Sequence, residues 1–133
     1  PGGGGAPEIA SSCQQIYITL KQSKRGMVDK IDFFTSFGHG DGGDARLKLG
    51  LATQGPTLLI TDLAIWKPDP ETKEFTVVSL HPGVTREMVQ ETCGWPVKFA
   101  ATLEETPAPT DLELTTLRDL KARTAKAHGQ EAA

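Results

Sequence analysis

The chain has 133 residues, one domain's worth, with 38% hydrophobic residues and 14 Gly plus 9 Pro, about 17% of the total and below the roughly 25% at which low-complexity disorder becomes the default. A net charge of −3 and 6% aromatics supply neither the basic excess that displaces phosphate counterions nor a base-stacking platform, so no nucleic acid is expected as a partner. No run reaches about 18 apolar residues, so no membrane partner is expected.

Four of the glycines are Gly2 to Gly5, directly ahead of Ala6-Pro7-Glu8. Pro early in a helix costs no hydrogen bond, and Glu8 suits the positive end of the helix dipole. The pattern predicts a glycine loop feeding a short helix over 6–12. A chain rarely begins with so specialised a loop, and there is no initiator Met; Pro1 is therefore read as a cut point. Gln15 to Leu20 is a strand by its β-branched and aromatic content. Lys21 to Gly26 is a polar connection, and Met27 to Phe34 is read as a second strand despite imperfect alternation. Gly38-His39-Gly40-Asp41-Gly42-Gly43-Asp44 is a loop. Ala45 to Leu49 is a helical turn stopped by Gly50. Thr57 to Trp66 is nearly continuously apolar, which predicts one strand buried on both faces. Lys67 to Lys73 is a turn and Glu74 to Leu80 a returning strand. Thr85 caps a helix that Gly94 stops. Residues 107–109 form a linker, and Thr110-Asp111-Leu112-Glu113 is a capping box opening a helix with a Leu112, Leu114, Leu117, Leu120 stripe; His128 onward should fray. Two parts follow: 1–106, an α/β domain, and 107–133, a linker and helical tail.

Successive glycine amides ahead of a helix make a concave positive pocket that a carbonyl or phosphate can approach closely. Two such amides on one oxygen form an oxyanion hole. A flexible terminus explains the run equally well. It matches neither GxGxxG nor GxxxxGK[ST]. Ser36, His39 and Asp41 lie too close in sequence to suggest a triad, and His39, Asp41 and Asp44 lack a fourth ligand at a metal-like spacing, so no metal is expected. Lys24-Arg25 could meet a phosphate or be a solvated pair. His81 lines a cleft or caps the next helix. Asp62, inside an apolar run, needs a hydrogen-bonded partner if it is buried, for a functional role or for a structural bond to a neighbouring loop. Cys13 and Cys93 are read as free thiols.

Taken together, the motifs resemble one family. Gly2-Gly3-Gly4-Gly5-Ala6-Pro7-Glu8-Ile9-Ala10 resembles the GSGGAxDIA segment of the class I coenzyme A transferases, β subunit. Ser23 to Phe33 resembles HxKRRFVxKxDY, Thr35 to Gly42 TSPGxxDGP, Ile60 to Ile65 ITDLGVF, Leu80 to Thr85 LHPGVT, and Glu91 to Trp95 the ENTGF segment. The order is kept over residues 2–95, and the branch most resembled is glutaconate coenzyme A-transferase. Gly3 stands where the family has Ser, Pro7 where it has Asn, Glu8 where it has Asp, and Phe37 where it has Pro.

The resemblance implies an α/β fold with an open, mostly parallel sheet flanked by helices, covering the C-terminal half of such a subunit. It implies an acyl-CoA enzyme that moves CoA between carboxylic acids. A glutamate attacks the acyl-CoA, giving an acyl-glutamyl anhydride and then a glutamyl-CoA thioester. No part of this sequence matches the motif of that glutamate. The resemblance assigns backbone contacts to the thioester to Gly3, Gly4, Gly5 and Ala6, and CoA contacts to Gly4, Gly5, Lys24 and Arg25. Coenzyme A enters as acyl-CoA substrate, without a metal. The implied partners are the N-terminal part of the same subunit and an α subunit, in a cytoplasmic hetero-oligomer. Relatives on this scaffold also decarboxylate or hydrolyse acyl-CoA esters. A reading from another class is a non-catalytic half needed only for assembly. A lone half would expose much apolar surface, so it is expected not to fold stably without partners.

Overall fold

Five short segments pair edge to edge in chain order to form one sheet. The computed structural model describes residues 3–129. The elements are α1 (Ala6–Ser12), β1 (Ile16–Thr19), α2 (Ala45–Lys48), β2 (Pro56–Ile60), β3 (Ala64–Pro68), β4 (Phe75–Leu80), α3 (Arg86–Glu91), β5 (Phe99–Glu105) and α4 (Asp111–Ala127). The sheet is open and accompanied by helices, and its pairings are evenly mixed. β1–β2 and β4–β5 are parallel, whereas β2–β3 and β3–β4 are antiparallel. Short connections impose the two antiparallel pairs, because a parallel pair needs a long crossover.

The apolar run 57–66 is two strands, not one buried on both faces. The Thr61 hydroxyl accepts hydrogen bonds from the Leu63 and Ala64 amides at 3.1 and 2.9 Å, folding the run back on itself. The burial of Ala64 and Trp66 against exposed Lys67 shows a single buried face on β3. The β3–β4 turn is as expected. Asp69 Oδ1 accepts from the Glu71 and Thr72 amides at 2.9 and 2.7 Å, which closes the turn as a local Asx motif.

The core lies on that one face, where Leu59, Ala64, Trp66, Val77, Val89, Cys93 and Met27 cluster. Val89 brings α3 onto the sheet, and α3 is capped by Thr85 accepting from the Met88 amide at 3.3 Å. The expected strand over 27–34 does not form. Met27 instead enters the core, its carbonyl accepting from the Gly94 amide at 2.8 Å. A Cβ at Gly94 would sit 2.8 Å from the Asp29 amide nitrogen, so only glycine lets α3 end against this segment. Ile31, Phe33 and Phe34 are consequently left exposed. β5 was not legible, because Phe-Ala-Ala-Thr-Leu-Glu-Glu lacks a strand signature; its place is set by pairing with β4.

α4 carries the predicted capping box, with the Glu113 carboxylate accepting from the Thr110 amide at 2.7 Å. It has no buried residue, and Leu112, Leu117 and Leu120 are exposed. Among the described residues no helix is long and apolar enough to cross a membrane. The expectations for Pro1, Gly2 and residues 130–133 fall outside the described residues.

The loop over 40–44 rests on the β3–β4 turn. A Cβ at Gly42, whose φ is +84°, would lie 2.1 Å from the Thr72 carbonyl oxygen. Gly42→Ala should therefore destabilise the protein by about 2 kcal/mol or more, read as a lowered denaturation midpoint, while Gly43→Ala, where the nearest atom is 3.9 Å away, costs less.

Candidate active site

The glycine loop folds as a tight turn. The Ala6 amide donates to the Gly3 carbonyl at 3.1 Å, and φ is +56° at Gly4 and −83° at Gly5. These signs, positive then negative, are those of a type II′ turn, which requires glycine at its first central position. The Gly5 carbonyl then accepts from the Ile9 amide at 3.1 Å and starts α1. The Ala6 N–H is thus spent within the turn. Among the described residues the Gly4 and Gly5 amides have no acceptor. A Cβ built at either position meets nothing within 4 Å, so an incoming atom can reach the backbone there.

Gly3 differs. A Cβ there would lie 2.8 Å from Pro7 Cγ and 3.3 Å from Thr35 Cβ. The Pro7 ring occupies the space a side chain at position 3 would need. Positions 3 and 7 are therefore sterically coupled in this chain. The contact with Thr35 also brings the glycine loop against the 35–42 motif, so two sequence-distant segments form one surface.

Behind that surface lies Arg46, only 6% exposed and not singled out in the sequence. Its Nε donates to the Thr53 carbonyl at 3.1 Å. Nη1 donates to the Gly38 and Phe37 carbonyls at 2.8 and 3.4 Å, and Nη2 to the Ala10 carbonyl and the Thr53 hydroxyl at 3.2 and 2.6 Å. Thr53 Oγ1 in turn donates to the Ser11 carbonyl at 2.9 Å. All five guanidinium N–H groups find acceptors, and every acceptor is neutral. The only signal that could have found Arg46 was a lone Arg in an otherwise small, glycine-bounded helical turn.

His39 sits beside this cluster. Its Nε2 lies 2.6 Å from the Pro56 carbonyl, and since a carbonyl only accepts, Nε2 carries the proton. Burial pushes the imidazole below its ordinary value. The Pro56 bond opposes that, and the charges of Arg46 and Lys73 reinforce it. Asp44 pairs instead with Lys48 at 2.8 Å, and no group of three potential metal ligands occurs among the described residues. Ser36, His39 and Asp41 thus form no triad.

Lys24 and Arg25 occupy an exposed turn in which the Ser23 carbonyl accepts from the Gly26 and Met27 amides at 3.0 and 2.8 Å. Among the described residues no hydrogen bond joins this turn to the glycine loop. His81 is a strut: Nε2 donates to the Thr61 carbonyl at 2.9 Å, and Nδ1 faces the Thr106 hydroxyl at 3.0 Å. Asp62 is exposed and accepts from the Gln22 amide at 2.7 Å, so the bond ties two segments together rather than offsetting a buried charge. Gln22 itself is buried and donates to Thr92 Oγ1 at 2.8 Å and toward Cys93 Sγ at 3.5 Å. Both cysteines are free, Cys13 exposed and Cys93 buried, with burial raising the Cys93 thiol pKa.

The chain thus joins an open mixed sheet to a glycine turn whose Gly4 and Gly5 amides, among the described residues, have no acceptor. Residues 1–92 match the family model described as coenzyme A transferase, and the chain belongs to that family. It is 58% identical over 131 residues to the β subunit of the 3-oxoadipate CoA-transferase of Pseudomonas knackmussii, covering 98% of this chain and 50% of the relative. It is 36% identical over 115 residues to the β subunit of the glutaconate CoA-transferase of Acidaminococcus fermentans, covering 85% and 43%. The crystal structure of glutaconate coenzyme A-transferase from Acidaminococcus fermentans superposes with a TM-score of 0.79 at 34% identity, covering 89% of this chain and 45% of that one. The chain spans about half the length of the curated relatives it matches.

Gly3→Ser alone should cost about 1–3 kcal/mol by overpacking against Pro7, and Gly3→Ser with Pro7→Asn should recover most of it; a double-mutant cycle on denaturation midpoints reads the coupling. The depressed His39 means the unfolded chain binds more protons than the folded one below the ordinary value of 6.5. Stability should therefore be full above about pH 7 and fall as pH drops through the folded value, and His39→Gln, which keeps a donor for Pro56, should flatten that slope.

Proposed function

We propose that this chain is part of the β subunit of a two-subunit CoA-transferase that moves CoA between carboxylic acids through a glutamyl-CoA intermediate. In this reading the Gly4 and Gly5 amides hold the thioester carbonyl oxygen. The observation that carries it is the pair of amides that, among the described residues, have no acceptor, with open space above both glycines. As a nucleophile adds to the thioester, charge develops on that oxygen, and fixed donors stabilise it by a few kcal/mol each. Gly3 shapes the turn and Ala6 closes it, so their part is to aim the two amides. The attacking glutamate lies outside these residues, in the preceding part of the subunit, and an α subunit completes the enzyme.

The names of the two curated relatives contain 3-oxoadipate and glutaconate. Both acids carry two carboxylates, which supports a dicarboxylic acid monothioester as the acyl-CoA. Coenzyme A carries several phosphates, and exposed Lys24 and Arg25 suit those charges.

Gly5 offers a direct test. Its φ is −83° and a Cβ there meets nothing, so the fold tolerates a side chain while a ligand over the amides does not. In the complete enzyme, Gly5→Val should leave the melting temperature within a degree or two and lower kcat/KM by about 100-fold, the worth of an oxyanion donor. CoA exchange should depend on the acceptor carboxylate. Unchanged turnover would sink the oxyanion role, and CO2 release without acceptor would mean decarboxylation.

A further inference from the structure

We infer that Arg46 is a positioning residue for the glycine loop: it acts through α1 to fix the Gly4 and Gly5 amides against the 35–38 segment. The inference rests on the reading of that loop as the thioester site. α1 is one short rigid body of 7 residues, held at both ends against the same segment. At its start Gly3 abuts Thr35. At its end the Ala10 carbonyl shares the guanidinium with the Phe37 and Gly38 carbonyls. Thr53 adds a second strut, accepting from Arg46 and donating to the Ser11 carbonyl.

The cradle is cut to a flat fork. Gly55, at φ +73°, lies so near that a Cβ there would come 2.9 Å from Cζ, Nε and Nη1. A planar guanidinium can lie against that backbone and reach acceptors on three segments at once. An ammonium offers three donors from a single point and cannot span them. Releasing the fork frees the end of α1, and the helix can then pivot on the Gly3 contact and carry the two amides with it. A displacement near 1 Å at reacting atoms is worth about 100-fold in rate.

The test uses the full subunit assembled with its partner. Arg46→Lys keeps the charge and loses the fork. It should lower kcat about 10- to 100-fold with KM changed less than about threefold, because donors are displaced and substrate binding elsewhere is kept. Amide hydrogen exchange at Ile9 and Cys13, the α1 amides bonded to Gly5 and Ile9, should accelerate at least about tenfold, with β3 and β4 unchanged. Thr53→Val, which removes one strut, should give smaller shifts of the same sign. Wild-type kcat with wild-type exchange at Ile9 and Cys13 would overturn the inference, as would acceleration spread equally over β3 and β4, the mark of a merely structural residue. If Gly5→Val is silent while Arg46→Lys still frees α1, the anchoring stands and the thioester reading fails.

Discussion

A guanidinium keeps its proton under all ordinary conditions, so a fold that buries one must bring acceptors to all five N–H groups or bear a large desolvation cost. Around Arg46 those acceptors come from the last turn of α1, the 37–38 loop and Thr53. None is a carboxylate. The charge is spread over carbonyl and hydroxyl dipoles, including one at the negative end of α1, where a cation is favoured. Segments without regular structure thereby acquire a fixed mutual geometry, and the burial of His39 against Pro56 and the docking of Gly42 on Thr72 follow from the same loop being held.

Local chemistry was readable wherever it was self-contained. The 6–12 helix, the Thr85 cap, the Asp69 turn and the Thr110 capping box each rest on residues within a few positions of one another, and each formed as the sequence suggested. What failed were choices settled from afar. Residues 27–34 have strand-like composition, but the Gly94 contact draws Met27 inward instead. Thr57 to Trp66 looked like one buried strand until the Thr61 hydroxyl supplied a turn. β5 exists because β4 has a free edge, not because its own residues favour extension. In the site, the glycine loop was legible by composition. Arg46 was not, since nothing local says that an arginine on a four-residue helical turn will be buried.

The glycines divide by the reason for their presence. Gly42, Gly55 and Gly94 answer to neighbouring atoms of the same chain, and Gly4 answers to its own φ. Gly5 answers to neither, since its φ is negative and a Cβ there would stand in open space. The proposed reading of the loop as a ligand site rests on that distinction more than on the run of glycines itself.

The mixture of parallel and antiparallel pairs also orders the assembly of the chain. The β2–β3–β4 meander closes over short turns, whereas the bond from Gln22 to Asp62 closes over 40 residues, an entropic disadvantage of about 1.7 kcal/mol beyond a loop of about six residues. Closing the meander therefore costs less chain entropy than docking the segment that carries Arg46 and the glycine-rich 38–44 loop. Contacts made after the rate-limiting step slow unfolding without hastening folding. Contacts of residues 23–55 that form after the meander would thus lengthen the life of the folded arrangement without changing the speed at which it is reached.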